Sequence, residues 1–155
     1  MSSQQLIATH RDGAEIHHGE DVCKQKSHQL LEKMHLPCGL LPLDDVVEFG
    51  YNATSGFVWL KQKKRKEHRF HAVGRTVSYD TEVMGFVEEH RMRRLSGVKS
   101  KEILIWVSIS DIYVDPSTDP DKITFANGTG ISRSFPITAF QLEEGEDGNG
   151  TNGKK

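Results

Sequence analysis

The spacing of apolar residues near the start of the chain is helical. Between residues 20 and 36, apolar side chains recur at steps of three and four, and this spacing predicts an amphipathic helix with the stripe Val22, Cys23, Leu30, Leu31 and Met34. Glu20 and Asp21 suit the positive end of the helix dipole. Pro37 cannot continue a helix, so we expect the helix to end before it.

After this helix the pattern changes to alternation of polar and apolar positions. Short alternating runs predict β-strands, and the residues between them, such as 52–56 and 61–66, have turn chemistry. Residues 103–114 form the most apolar run and predict the strongest strand, with a bulge or break at Ser110-Asp111, where the alternation changes parity. Further turns are expected at 88–91 and 96–97.

The number and spacing of these runs predict the fold class. The alternation changes phase at Gly85, which indicates a β-bulge. About seven or eight short strands joined by tight turns favour an antiparallel sheet that curls or closes. We therefore expect a mainly β (α+β) fold, in which the N-terminal amphipathic helix packs on a curled antiparallel sheet or open barrel.

Composition divides the chain into one domain and two tails. The chain has 155 residues, of which 35% are hydrophobic. Residues 1–18 are mostly polar and residues 143–155 are acidic and rich in glycine, so both segments are predicted to be disordered. The remaining residues, 19–142, are long enough for a single globular β-rich domain.

Charge and cysteine content indicate the environment. The net charge of −2 provides no overall basic field, so a nucleic-acid partner is not expected. The first residues lack the basic start and apolar stretch of a secretory signal, and no apolar run has transmembrane length. We therefore expect a cytoplasmic protein with Cys23 and Cys38 as reduced thiols and with no integral membrane segment. The oligomeric state is left open.

One basic run stands out within this acidic chain. Lys63, Lys64, Arg65 and Lys66 occupy the predicted turn 61–66 and match the loose pattern of a nuclear address or an anion-binding patch. The simpler interpretation is a solvated turn. A nuclear location and an interaction role for this turn stay open as alternatives.

The residue spacings do not predict catalysis or metal binding. The sequence has no Gly-x-Ser-x-Gly motif. A reactive thiolate pair of Cys38 with His35 is one interpretation of this cysteine, and simple packing in an apolar junction is the other and the simpler one. His28 and His35 share a helix face, but only Glu32 lies between them as an oxygen ligand. Structural zinc needs four converging ligands. We therefore expect no catalytic residues, no metal and no cofactor.

Four ordered blocks of sequence carry a resemblance to a known family. They are Leu36–Pro42, Thr54–Trp59, Leu95–Lys101 and Ser134–Phe140. In this order the chain resembles the plant family catalogued as domain of unknown function 538, over about residues 18–142. The resemblance implies a plant source and a compact, mostly β fold with one N-terminal helix. It also implies a distant likeness to bactericidal/permeability-increasing lipid-binding proteins, beside suggested hydrolase roles.

Apolar residues near the predicted helix and strands suggest a ligand pocket. A curled sheet closed by a helix can enclose a small apolar ligand. The candidate lining residues are Leu40, Leu41, Trp59, Phe70, Trp106 and Phe140. The function we expect is a non-enzymatic binding module for a small apolar or lipid-like ligand. The alternatives are an interaction module using the basic hairpin 61–66 and a hydrolase without a recognisable catalytic motif.

Overall fold

The computed structural model describes residues 2–142, so the expected tail 143–155 lies outside the described residues. The helices are α1 (Ser3–Arg11) and α2 (Glu20–Lys33), with short 3₁₀ turns at Cys38–Leu40 and Ile137–Phe140. The strands are β1 (Glu15–His18), β2 (Val46–Asn52), β3 (Phe57–Gln62), β4 (Lys66–Phe70), β5 (Arg75–Glu88), β6 (Arg91–Lys101), β7 (Trp106–Ser108), β8 (Asp111–Asp115), β9 (Asp119–Ala126) and β10 (Ser132–Pro136).

Within the described residues, all ten strands belong to one open antiparallel sheet, so the mainly β prediction is confirmed. The strand order is β1-β2-β3-β5-β6-β8-β9-β10, with β4 added on β5 and β7 added on β6. The long strands β5 and β6 therefore each pair with two partners on one side. Arg133 on β10 reaches Glu102 after β6 (3.6 Å), and Glu102 binds Arg75 on β5 (2.6 Å).

The helix α2 packs against β2 and against the 3₁₀ turn that follows it. Its buried residues are Cys23, Ser27, Leu30 and Leu31, whereas Val22 from the predicted stripe is 42% exposed. The helix ends at Lys33, three residues earlier than predicted, and His35 has a positive φ of 59°. None of the helices in residues 2–142 combines the length and the apolar character needed to cross a bilayer.

The expectation of a disordered segment over 1–18 is wrong for the part that the structure describes. Ser2 and Gln5 form a capping box that starts α1, and β1 pairs with β2 along its whole length. The only buried residue of α1 is Ile7, which joins a second apolar cluster with Phe57, Trp59 and Met84. A mostly polar segment is thus held in place by a few apolar contacts, of which Ile7 is the most buried, and by strand pairing.

Glu48 on β2 links this N-terminal segment to the sheet. Its buried carboxylate accepts hydrogen bonds from Trp59 Nε1 (2.7 Å), from Arg11 (2.8 Å) and from the His18 ring (3.1 Å). Burial raises the pKa of Glu48, but these hydrogen bonds and the Arg11 charge outweigh it and leave the pKa below its ordinary value. One carboxylate therefore joins α1, β1, β2 and β3.

The region after Glu88 differs most from the sequence-based expectation. Residues 91–101 form the strand β6, so the turn expected at 96–97 is wrong; Gly97 instead adopts φ of 91° inside the strand. Residues 103–105 are not a strand, so the prediction that the strongest strand begins at Ile103 is wrong. The break expected at Ser110-Asp111 agrees with the structure, in which β7 ends at Ser108 and β8 begins at Asp111. The register shift between the Met84 and Phe86 pairs agrees with the bulge expected near Gly85.

Candidate functional site

The most exposed apolar residues of the described chain lie together in one tight loop. This apolar loop, residues 102–105, connects β6 to β7, and the Glu102 amide donates to the Ile105 carbonyl at 2.8 Å. Ile103 is 92% exposed, Leu104 89% and Ile105 64%. Three adjacent aliphatic side chains that are mostly in water contribute little to the protein's own core, so this loop needs an explanation other than folding.

The base of the apolar loop carries an aromatic ring and two cations. Trp106 is half-buried and pairs across the hairpin with Lys101. The Lys101 ammonium lies 5.7 Å from the Trp106 ring centroid, and the Arg65 guanidinium lies 5.7 Å from it as well. Both distances are in the range of cation–π contacts. The indole therefore lies next to the exposed aliphatic side chains of the apolar loop on one side and to the cations of Lys101 and Arg65 on the other.

Arg65 belongs to the basic loop, residues 63–66, which the sequence had singled out. Two of its cations have acidic neighbours, since Lys66 pairs with Asp44 at 2.7 Å and Arg65 pairs with Glu67 at 3.0 Å. Lys63 and Lys64 are exposed. The fold thus brings the basic loop next to the apolar loop, a juxtaposition of segments about forty residues apart in sequence that the strand pattern did not predict.

The predicted ligand-lining residues separate into three places. Leu40, Leu41, Phe70 and Phe140 belong to the main core, where the Phe70 and Phe140 rings lie 4.7 Å apart and each residue is at most 5% exposed. Trp59 lies in the second cluster, and Trp106 lies at the apolar loop. The structure therefore does not bring the six residues together around one space.

One apolar recess beside β7 is small, and none of the six predicted residues lines it. It lies between β5, β6, β7, β9 and β10, and its apolar walls include Val107, Phe125 and Phe135. Its volume is about 20 Å³, close to the space that one water molecule occupies. A drug-sized ligand needs a pocket of roughly 300 Å³ or more. This recess does not supply one in the conformation described.

The candidate thiolate pair has the wrong electrostatic setting for a nucleophile. The Cys38 thiol donates to the His28 carbonyl (3.6 Å), and burial together with the Glu32 charge raises the pKa of Cys38. A raised pKa lowers the thiolate fraction, whereas reactive cysteines have depressed pKa values. Cys23 is buried and, like Cys38, a free cysteine.

Sequence reasoning missed the apolar loop because the residues that form it have strong strand preference. Ile103 and Ile105 continue the alternation of Val107 and Ile109, and no glycine, proline or asparagine marks the turn. The only signal was the charged pair Lys101-Glu102 immediately before the run. A charged pair of this kind is compatible with both a buried strand and an exposed hairpin.

Fold and site together define a class: a mainly β domain with one open antiparallel sheet and an exposed apolar loop next to basic residues. Residues 27–141 match the family model described as protein of unknown function, DUF538. This match covers well over half of the chain, so the protein belongs to the DUF538 family. Neither the curated proteins nor the solved structures include a match to the chain.

Proposed function

We propose that this protein is a non-enzymatic lipid-binding module that docks on the surface of an anionic phospholipid bilayer. The apolar loop enters the outer leaflet, and the adjacent cations contact the headgroups. The single observation that carries this proposal is the near-complete exposure of Ile103 and Leu104 at the tip of a hairpin. The proposal retains the lipid-like ligand expected from the sequence but moves its contact from the interior to the surface.

The apolar residues supply the first contribution to binding. Fully burying one leucine or isoleucine side chain is worth about 1.5–3 kcal/mol. Ile103 and Leu104 are close to fully exposed, so their transfer from water into lipid offers about 3–6 kcal/mol before the entropic costs of association. Trp106 lies at the base of the loop, which would place it at the level of the lipid headgroups. An indole suits this level because its ring is apolar and its N–H group is polar.

The cations supply the second contribution. A lysine or arginine near an anionic leaflet is worth about 1 kcal/mol. Lys101 and Arg65 flank Trp106, and Lys63 and Lys64 are exposed in the same basic loop. A protein with net charge −2 gains this attraction only if it presents this face to the membrane. Charge therefore orients the docking, and salt should weaken it.

The two other candidate functions receive less support. An interior ligand needs space among Leu40, Phe70 and Phe140, whose side chains are buried against one another. A hydrolase using Cys38 needs an accessible thiolate, and the pKa of this thiol is raised. Both remain predictions from the sequence.

The test uses the full chain and vesicles of phosphatidylcholine with or without phosphatidylserine. Co-sedimentation measures binding, and tryptophan fluorescence measures insertion. Trp59 is fully buried and gives a constant signal, so a blue shift on adding vesicles reports Trp106. We expect binding to the phosphatidylserine vesicles, a blue shift that Trp106→Phe removes, and weaker binding at high salt.

The variant that decides the proposal is Ile103→Ser with Leu104→Ser. It removes about 3 kcal/mol or more of transfer free energy, so the partition coefficient should fall by about 100-fold or more while the fold is retained. Val22→Ser, an exposed apolar residue on α2, is the matched control and should bind like the wild type. Absence of vesicle binding, or equal binding of the double variant, overturns the proposal. Loss of binding only in Lys63→Gln with Lys64→Gln would favour the interaction module instead.

A further inference from the structure

Two histidines that are far apart in sequence meet where α2 contacts the β5–β6 turn. The His90 amide donates to the Met34 carbonyl at 2.7 Å, and the Val114 amide donates to the His90 carbonyl at 2.9 Å. These backbone hydrogen bonds fix the turn against the end of the helix. As a result, the rings of His35 and His90 stack with their centroids 5.4 Å apart.

Both histidines occupy backbone positions that do not favour large side chains. His35 has φ of 59° just after the helix, and His90 has φ of 67° in the hairpin turn. Glycine or asparagine is the usual residue at such a position after a helix. Histidine, like asparagine and aspartate, is enriched among the non-glycine residues found at positive φ, so the backbone permits both imidazoles but does not require them.

Glu89 completes the cluster between the two rings. One of its carboxylate oxygens lies 3.0 Å from His35 Nδ1 and 3.7 Å from His90 Nε2. The three ligand atoms all lie within 4.8 Å of one another. The other ring nitrogen of His90, Nδ1, is buried and makes no hydrogen bond among the described residues. Nε2 is therefore the nitrogen through which this ring interacts.

We infer that His35, Glu89 and His90 form a zinc-binding site with one position open to solvent. Two imidazole nitrogens and a carboxylate oxygen are ligands that zinc prefers, and tetrahedral bonds of about 2.0–2.1 Å place neighbouring ligand atoms roughly 3.4 Å apart. The observed separations of 3.0 Å and 3.7 Å lie on either side of this value. The His35 and Glu89 side chains are exposed and free to turn by the small angles required.

An exposed ion pair does not account for this arrangement equally well. A surface pair such as His35–Glu89 adds little to stability. The pair also gives no reason for a second imidazole to face the same carboxylate. A metal ion uses all three groups at once, and it would join the end of α2 to the β5–β6 turn.

The zinc site and the membrane-docking loop are independent of each other. Glu89 and His90 lie just before the start of β6, whereas the apolar loop follows its end, about 35 Å away for an extended strand of 11 residues. Substitutions at one site therefore leave the other unchanged. The failure of either proposal can be recognised without reference to the other.

Isothermal titration of the full chain with Zn²⁺ alone, in a non-chelating buffer, tests the site. We expect one saturable site per chain. His90→Asn and Glu89→Gln should each weaken binding by more than about tenfold, because even the loss of outer-shell partners commonly costs 10- to 100-fold. Asparagine tolerates positive φ, so His90→Asn removes the imidazole while keeping a backbone conformation that the turn accepts.

The matched control is His71→Asn, which changes an exposed histidine in another turn and should leave the affinity unchanged. Circular dichroism confirms that each variant is folded. Absence of saturable binding overturns the inference. So does affinity that survives Glu89→Gln and His90→Asn but falls with His17→Asn, since zinc would then bind at the β1 histidines.

Discussion

Replacing Glu48 by glutamine tests how far one carboxylate holds the N-terminal segment on the sheet. The variant keeps an oxygen for Trp59 Nε1 but loses the charge that Arg11 and His18 contact. A hydrogen bond to a buried charged group is worth about 1.5–3 kcal/mol. The bond from Arg11 is discounted because this side chain is 43% exposed. We expect Glu48→Gln to lower the free energy of unfolding by about 1–2 kcal/mol.

The same variant should change how stability depends on pH. The pKa of Glu48 is lower in the folded protein than in the unfolded chain, where it has its ordinary value. Its contribution is therefore fully present above the unfolded pKa and is lost as pH falls through the folded pKa. The difference between wild type and Glu48→Gln should be largest near neutral pH and should disappear in acid.

Urea denaturation followed by circular dichroism, repeated from pH 7 down to pH 3, measures both effects. Glu67→Gln, which changes an exposed carboxylate paired with Arg65, is the control and should stay within about 0.5 kcal/mol of wild type. A difference for Glu48→Gln that is constant over this pH range, or that grows in acid, would refute the reasoning. It would mean that the charge of Glu48 is not what stabilises the segment.

Two further substitutions test the packing of the sheet. A Cβ at Gly50 would overlap the Trp59 indole on the neighbouring strand, so Gly50→Ala should lower the free energy of unfolding, measured by urea denaturation, by about 1–3 kcal/mol or more. Gly128→Ala is the control and should leave this free energy unchanged, because a Cβ at Gly128 meets open space. Equal stabilities of the two variants would contradict this packing. Burial raises the pKa of Tyr79, whose hydroxyl donates to the Leu40 carbonyl at 2.9 Å. Tyr79→Phe should lower the melting temperature by roughly 2–8 °C, because it leaves a buried carbonyl unpaired at a cost of about 1–2 kcal/mol; an unchanged melting temperature would show that the bond contributes nothing.

The sheet could be predicted from sequence because alternation is a local property. The phase change at Gly85 indicated the register shift, and the turn residues separated β2, β3 and β4. Helix α1 was missed because residues 3–11 contain few apolar side chains, and Ile7 alone is buried. The capping-box spacing of Ser2 and Gln5 was a usable signal, since it marks a helix start even where hydrophobic periodicity is weak.

The candidate sites could not be predicted because they depend on exposure and on contacts distant in sequence. Alternation places Ile103 and Ile105 on one face, but it does not show whether that face meets a neighbouring strand or water. His35 and His90 meet only because a helix end contacts a hairpin turn. Such contacts follow from tertiary packing, and a single sequence does not reveal them.

The position of α1 has a practical consequence for anyone who shortens the chain. The family match begins at residue 27, inside α2, so a fragment cut there loses α1, β1 and the first turns of α2. Ile7 would no longer cover Phe57 and Met84, and β2 would become an uncovered edge strand. Edges of this kind pair with other copies. Such a fragment should therefore aggregate, and its insolubility would say nothing about the behaviour of the intact protein.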